Sequence, residues 1–164
     1  MAMTIKTEGL TQLSEMLGKL GDKAQAVASG SLYKGAGFVA DAFNQSVNSI
    51  VTEPFHYLAK PEITGTKRYA SPEEKAALQN KVGIARFRKG GDSVDTIIGL
   101  SKAGYADVGG KPKAVQLIAR SINSGTSFMQ KQPFARRAVS SASGPAKELI
   151  VARAEEMFNE IINK

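Results

Sequence analysis

The sequence predicts an α+β fold, with long N-terminal and C-terminal helices packed on a small antiparallel β-sheet. Three observations carry this. Apolar residues recur at helical spacing from Leu10 to Ile50 and again from Leu149 to Ile162. Two β-branched runs face each other across Gly90-Gly91-Asp92. Gly and Pro gather between these regions. The 164 residues, 42% hydrophobic and 23% charged, suit a single globular domain over 1-164.

Leu10, Leu13, Leu17 and Leu20 recur at three- and four-residue steps and predict a short amphipathic helix. Gly21 is its expected stop and Asp22 the cap of the next helix. That second helix is predicted over Lys23–Ile50, with a stripe through Val27, Ala36, Val39, Phe43 and Val47 and a possible break at Gly35-Ala36-Gly37. Pro54 and Pro61 bracket a loop, so a flexible segment is expected near 52-70. Ser71-Pro72-Glu73-Glu74 reads as a capping box with Pro at the first helical position, and its helix is expected to end near Val82-Gly83. Ile84–Lys89 and Ser93–Leu100 read as a hairpin. Gly104, Gly109, Gly110 and Pro112 mark a second flexible segment near 101-113. A helix follows over Ala114–Ile122, with Val115, Ile118, Ala119 and Ile122 on one side. A helical piece over Phe134–Val139 is expected to stop at Ser143-Gly144. Pro145 then fits the first turn of the last helix, whose stripe reads Ile150, Ala154, Met157 and Ile161.

Several classes of chemistry lack their parts. There is no Cys, so disulfides and thiolate metal sites are excluded. His56 is the only His, which excludes two-His metal motifs; beside aromatic residues and without an acidic neighbour it reads as packing or surface. Gly104-Tyr-Ala-Asp-Val-Gly109-Gly110-Lys111 is one residue off phosphate-loop spacing, and Pro112 stands where Ser or Thr reaches Mg²⁺. Glu73/Glu74 and Glu155/Glu156 are adjacent on helices and do not face each other. They read as helix-start and solvent-face charges. No nucleophile elbow occurs. The expectation is no enzyme, no cofactor and no metal. Met1-Ala-Met-Thr-Ile-Lys lacks the basic and apolar stretches of a signal peptide, and no apolar run reaches the roughly 20 residues of a membrane span.

The net charge is +7 and unevenly placed. Lys60 to Arg137 holds 15 basic and 6 acidic residues, while the two ends together are slightly acidic. A basic middle is either an electrostatic footprint for nucleic acid or a solvated surface.

The segment Ser121-Ile-Asn-Ser-Gly125-Thr126-Ser127-Phe-Met-Gln-Lys-Gln-Pro133-Phe134-Ala-Arg136-Arg137-Ala138 is the most informative. A Gly-Thr turn ends one element, a polar loop follows, and Pro133-Phe134 starts a helix with Phe134 as an apolar anchor. This resembles the tail-completion or neck proteins of long-tailed phages, the group of lambda-like minor tail protein Z. In that family an acidic-aromatic-Gly-Thr turn precedes a Pro-Phe pair with a basic residue and Ala behind it. The motif and assembly positions here are Gly125, Thr126, Pro133, Phe134, Arg136, Arg137 and Ala138. Asn123 and Ser124 stand at the acidic and aromatic places, and Arg137 at a common Pro. The element order is similar over most of the chain.

The resemblance implies a virion structural protein at the head–tail junction, assembled in the host cytoplasm. It implies a ring, typically of six copies, between the connector or stopper and the tail terminator or tube. A closed ring needs two different contact faces per subunit. The segments Tyr105–Lys113 and Thr64–Tyr69 would order on assembly. Genomic DNA would pass with transient, sequence-independent contact, and Lys67, Arg68, Arg86, Arg88, Lys89, Lys111 and Lys113 are the candidate lumen or interface residues. No membrane partner is implied. The alternative is a basic, non-sequence-specific nucleic-acid-binding protein. The absence of aromatic residues interleaved with the basic ones, and of any DNA-reading motif, favours the first.

Overall fold

A computed structural model describes residues 8–54, 67–90, 93–100 and 104–163. Helix α1 (Glu8–Asn48) runs for 41 residues. The break expected at Gly21 does not occur, Asp22 lies inside the helix, and the chain is also helical through Gly35-Ala36-Gly37. Each helical Gly costs only about 1 kcal/mol relative to Ala, and propagation with packing outweighs it. Packing even requires one of these glycines. A Cβ at Gly35 would stand 2.3 Å from Ile150 Cγ1 and 3.1 Å from the Ala146 carbonyl oxygen.

Those contacts come from the last helix, α4 (Phe134–Ile162), 29 residues long and antiparallel to α1. The stop expected at Ser143-Gly144 is absent, and Pro145 lies in the helix interior rather than in a first turn. Gly144 and Pro145 are exposed, while Ala138, Ala142 and Ala146 are buried one turn apart. Small residues facing α1 hold the helix on course through the hydrogen bond that Pro145 cannot donate.

The end of α1 is fastened to the next elements. Lys75 Nζ donates to the Ile50 carbonyl at 3.0 Å, a cation at a helix C-terminus. Residues 55–66, including His56, lie outside the described residues. The flanks of that expected flexible segment pair with their neighbours: Thr52 bridges Ala70, and Arg68 bridges Met129, both parallel. Helix α2 (Pro72–Ala76) has the expected capping box, with Ser71 and Glu74 capping reciprocally. It ends earlier than expected because the chain turns and reverses at Asn80, whose φ is 56°.

The expected hairpin spans Val82 to Leu100. Its outer ladder pairs β1 (Val82–Ile84) with β4 (Ile98–Leu100), and its inner ladder pairs β2 (Arg88–Gly90) with β3 (Ser93–Asp95). The ladder lapses at 85–87, where Ala85 N–H still donates to the Ile97 carbonyl at 2.8 Å and Thr96 Oγ1 to the Ala85 carbonyl. Phe87 rests against Tyr33 of α1, ring centroids 6.1 Å apart.

The described part of the second expected flexible segment is another hairpin, not a structureless connection. Strand β5 (Tyr105–Asp107) pairs with β6 (Pro112–Ala114). Gly109 and Gly110 both have positive φ, as a tight hairpin turn requires and as Gly adopts without strain. The turn is tied down from outside, because Gly109 N–H donates to Glu73 Oε2 at 2.7 Å. Helix α3 (Val115–Ser124) buries the expected Val115, Ile118, Ala119 and Ile122.

The fold is therefore α+β, with the strands among the described residues in three two-stranded antiparallel ladders. The core collects at the end of α1 and around α3, where Val47, Ile50, Leu78, Val108, Val115, Ile122 and Phe134 are fully buried. No helix among the described residues is long and apolar enough to cross a membrane.

Candidate assembly interface

The segment Ser121–Ala138 forms the corner between α3 and α4, and most of its motif residues serve the corner itself. Gly125 has φ 74° and ψ 168°, a conformation essentially reserved for Gly. A Cβ there would also stand 3.0–3.2 Å from Lys131. Thr126 Oγ1 accepts from the Met129 N–H at 3.0 Å and the Phe128 N–H at 3.3 Å, closing the polar loop. Gln132 is buried, and its side-chain amide makes a two-way clamp on Val51 at 2.8 and 2.9 Å. Phe134 is buried edge-on against Phe43, centroids 5.7 Å apart.

Asn123 Oδ1 accepts from the Ala135 N–H at 3.1 Å. It satisfies one of the unpaired amides at the start of α4, where Pro133 supplies no side-chain cap. A carboxylate at this position accepts the same bond. Ala138 is buried against α1, and Arg136 and Arg137 are exposed.

The basic candidates do not form one group. Arg68 is a correction to the lumen set, because its guanidinium is buried. It donates to Glu74 Oε1 and Oε2, both at 2.7 Å, and to the Tyr69 carbonyl. A planar fork opposite a carboxylate is the geometry Arg makes best. Lys113 Nζ stands 3.7 Å from Glu74 Oε1 and is partly exposed. Lys67 and Lys111 are exposed near this pair in sequence, while Arg86 and Arg88 are exposed on the other hairpin. Lys89 pairs with Val94 through its backbone, and its side chain lies outside the described residues.

Glu74 is the expected helix-start charge and is buried there. Burial pushes its carboxyl pKa up. The Arg68 hydrogen bonds, the Ser71 amide and the charges of Arg68 and Lys113 outweigh that and hold it below the ordinary carboxylate value.

The Arg68–Glu74 pair lines a concavity of about 420 Å³ together with Lys113, Ile118 and Met129. Tyr105, Leu117 and Phe128 also line it and are 78%, 63% and 43% exposed. Three large apolar side chains around one hollow, with cations beside them, make this the candidate interaction surface. Among the described residues no group of acidic or imidazole side chains is arranged to hold a metal. Sequence reasoning missed these apolar residues, although Leu117 gave a signal by standing off the buried stripe of α3. Phe128 gave none, and Tyr105 stands only at the edge of a segment expected to order on assembly, since nothing local places either beside Leu117.

No family model, curated protein or solved structure matches the chain.

Proposed function

We propose that this chain is a structural subunit of a phage head–tail junction, a tail-completion or neck protein. It assembles into a ring between the head connector or stopper and the tail terminator or tube, and DNA passes through the ring. Its role is architectural, without catalysis. The observation that supports this reading best is the α3–α4 corner. The residues that carry the family resemblance have physical jobs there: Gly125 at a Gly-only backbone conformation, Thr126 closing the loop, Phe134 anchoring α4, and Ala138 facing α1. Asn123 at the acidic place caps α4, so the departure at that position retains the acceptor. Exposed Lys67, Arg86, Arg88 and Lys111 suit transient contact with DNA backbone.

The test is the mass distribution of the purified protein by light scattering, at two salt concentrations, with and without phage tails or connectors. A ring, or a monomer that joins tails or connectors, is the expected result. A protein that ignores virion parts and binds free DNA with steep salt dependence overturns the reading in favour of a nucleic-acid-binding protein.

A further inference from the structure

We infer that the concavity at Tyr105, Leu117 and Phe128 receives the outward face of the second half of α4 from another copy of this chain. The inference rests on the ring reading and names its subunit contact. Three observations carry it.

The first is the match of apolar surfaces. Val151 is 56% and Phe158 36% exposed on α4. Glu148, Val151, Glu155 and Phe158 follow at three-, four- and three-residue steps and so share one side of the helix. Ala146, Ile150 and Met157 are on the side turned to α1, and Glu155 and Phe158 border a hollow with Ala24, Val27 and Ala28 of α1, so the face runs from the seam between the helices outward to Val151 and Glu148. An amphipathic helix of this pattern is what an apolar hollow accepts.

The second is charge. The outward face of α4 carries exposed Glu148 and Glu155 against one exposed cation, Lys147, a turn before Val151. Arg153 on the same helix pairs instead with Glu156 at 2.9 Å and Glu160 at 3.7 Å. The hollow is flanked by Lys113 and, on the adjoining segments, exposed Lys67 and Lys111 against exposed Glu73 and Asp107. The excess charge is therefore basic around the hollow and acidic on the α4 face.

The third is distance. The hollow is built beside the turn that leads into Phe134, and Val151 stands further along the same helix by about 25 Å at 1.5 Å per residue. One rigid helix cannot bring its own second half back to that hollow, so the two faces meet only between copies. The faces differ, so the contact is heterologous and passes from copy to copy, as a ring requires.

Two variants test this, each disabling one face at an exposed position: Leu117→Asp in the hollow and Val151→Asp on α4. Circular dichroism and melting first establish that both fold. Sedimentation is then run with the protein free and in the presence of phage tails. The parent is expected to assemble, and each variant to assemble about tenfold or more weaker. An equimolar mixture of the two is expected to form a one-to-one dimer and stop there, because it retains one intact pair of faces. Glu155→Lys is expected to weaken assembly, and Lys111→Glu added to the same chain to restore part of it.

A parent that stays monomeric in both settings overturns the inference. Variants that assemble like the parent also overturn it, as does a mixture that stays monomeric. A parent that assembles through these faces but ignores tails and connectors overturns the neck reading alone. A parent that joins tails equally well with either face disabled overturns only the contact.

Discussion

Around Gly35, α1 and α4 approach until a single methyl group has no room, and Ala138, Ala142 and Ala146 continue the same close fit. Around Gly125, by contrast, the chain is held by hydrogen bonds from Thr126, Asn123 and Gln132, with the buried Arg68–Glu74 pair on the adjoining segment. One region is held by shape, the other by satisfied polar groups. Shape fails by degrees, since each misplaced carbon costs its own contacts and strain. A polar interior fails at a single atom, because removing one partner leaves the other desolvated and unpaired. The hollow proposed for subunit contact has the Arg68–Glu74 pair in its wall, so a change to that pair should reach stability and, on the proposed contact, assembly as well.

The largest single-site effect is therefore expected at Glu74. Glu74→Gln leaves the Arg68 guanidinium buried beside a neutral amide and should cost about 3–5 kcal/mol at neutral pH, read by chemical denaturation. Replacing both partners, Arg68→Met with Glu74→Leu, should recover only part of that loss, because Leu cannot accept from the buried Ser71 N–H. The same pair sets an acid limit. The folded pKa of Glu74 is depressed, so its contribution is full above the ordinary carboxylate value and is lost as pH falls through the lower folded one. The stability gap between parent and Glu74→Gln should close in that range. A gap that is constant with pH would show that the carboxylate charge is not what holds the corner.

Gly125→Ala comes next. It meets both a Gly-only backbone conformation and the backbone of Lys131. Strain alone is worth about 1–3 kcal/mol. The expected loss is at the upper end, with a lower denaturation midpoint and an unchanged slope. A loss of a few tenths would mean that the turn relaxes freely, and the corner would then not fix the direction of α4.

The two regions also differ in how much of them was legible in the sequence. Ser71-Pro72-Glu73-Glu74 announced the start of α2, because a capping box closes its hydrogen bonds within four residues. The stripe of α3 was legible for the same local reason, as Val115, Ile118, Ala119 and Ile122 share one side. Gly35-Ala36-Gly37, Ser143-Gly144 and Pro145 were misleading, since they are local breakers overruled by the packing of α1 on α4, while Gly21 is a single helical Gly whose cost of about 1 kcal/mol does not stop propagation. The hairpin at Gly109-Gly110 was hidden because its strands are only three residues long and its anchor, Glu73, is 36 residues away. The candidate interface was the least legible part. Arg68, Leu117 and Phe128 meet only after three separate segments fold, and Arg68 reads as a surface cation until Glu74 is placed beside it.

The helix pair provides a smaller and more exacting test, because two glycines two residues apart should respond with opposite signs. Gly35→Ala places a Cβ within 2.3 Å of Ile150 Cγ1 and 3.1 Å of the Ala146 carbonyl oxygen. The expected cost is about 1–3 kcal/mol of overpacking, partly relieved by Ile150→Val in the same chain. Gly37→Ala meets nothing within 4 Å. It should gain stability by up to about 1 kcal/mol, because Ala loses less backbone entropy on entering a helix. The two melting curves should move apart on either side of the parent. If both variants gained, the close approach at Gly35 would be relaxed in solution, and Ala138, Ala142 and Ala146 would be small for a reason other than contact with α1. If both lost, the glycines would be serving bends in α1, and the uninterrupted course of that helix would be the feature to revise.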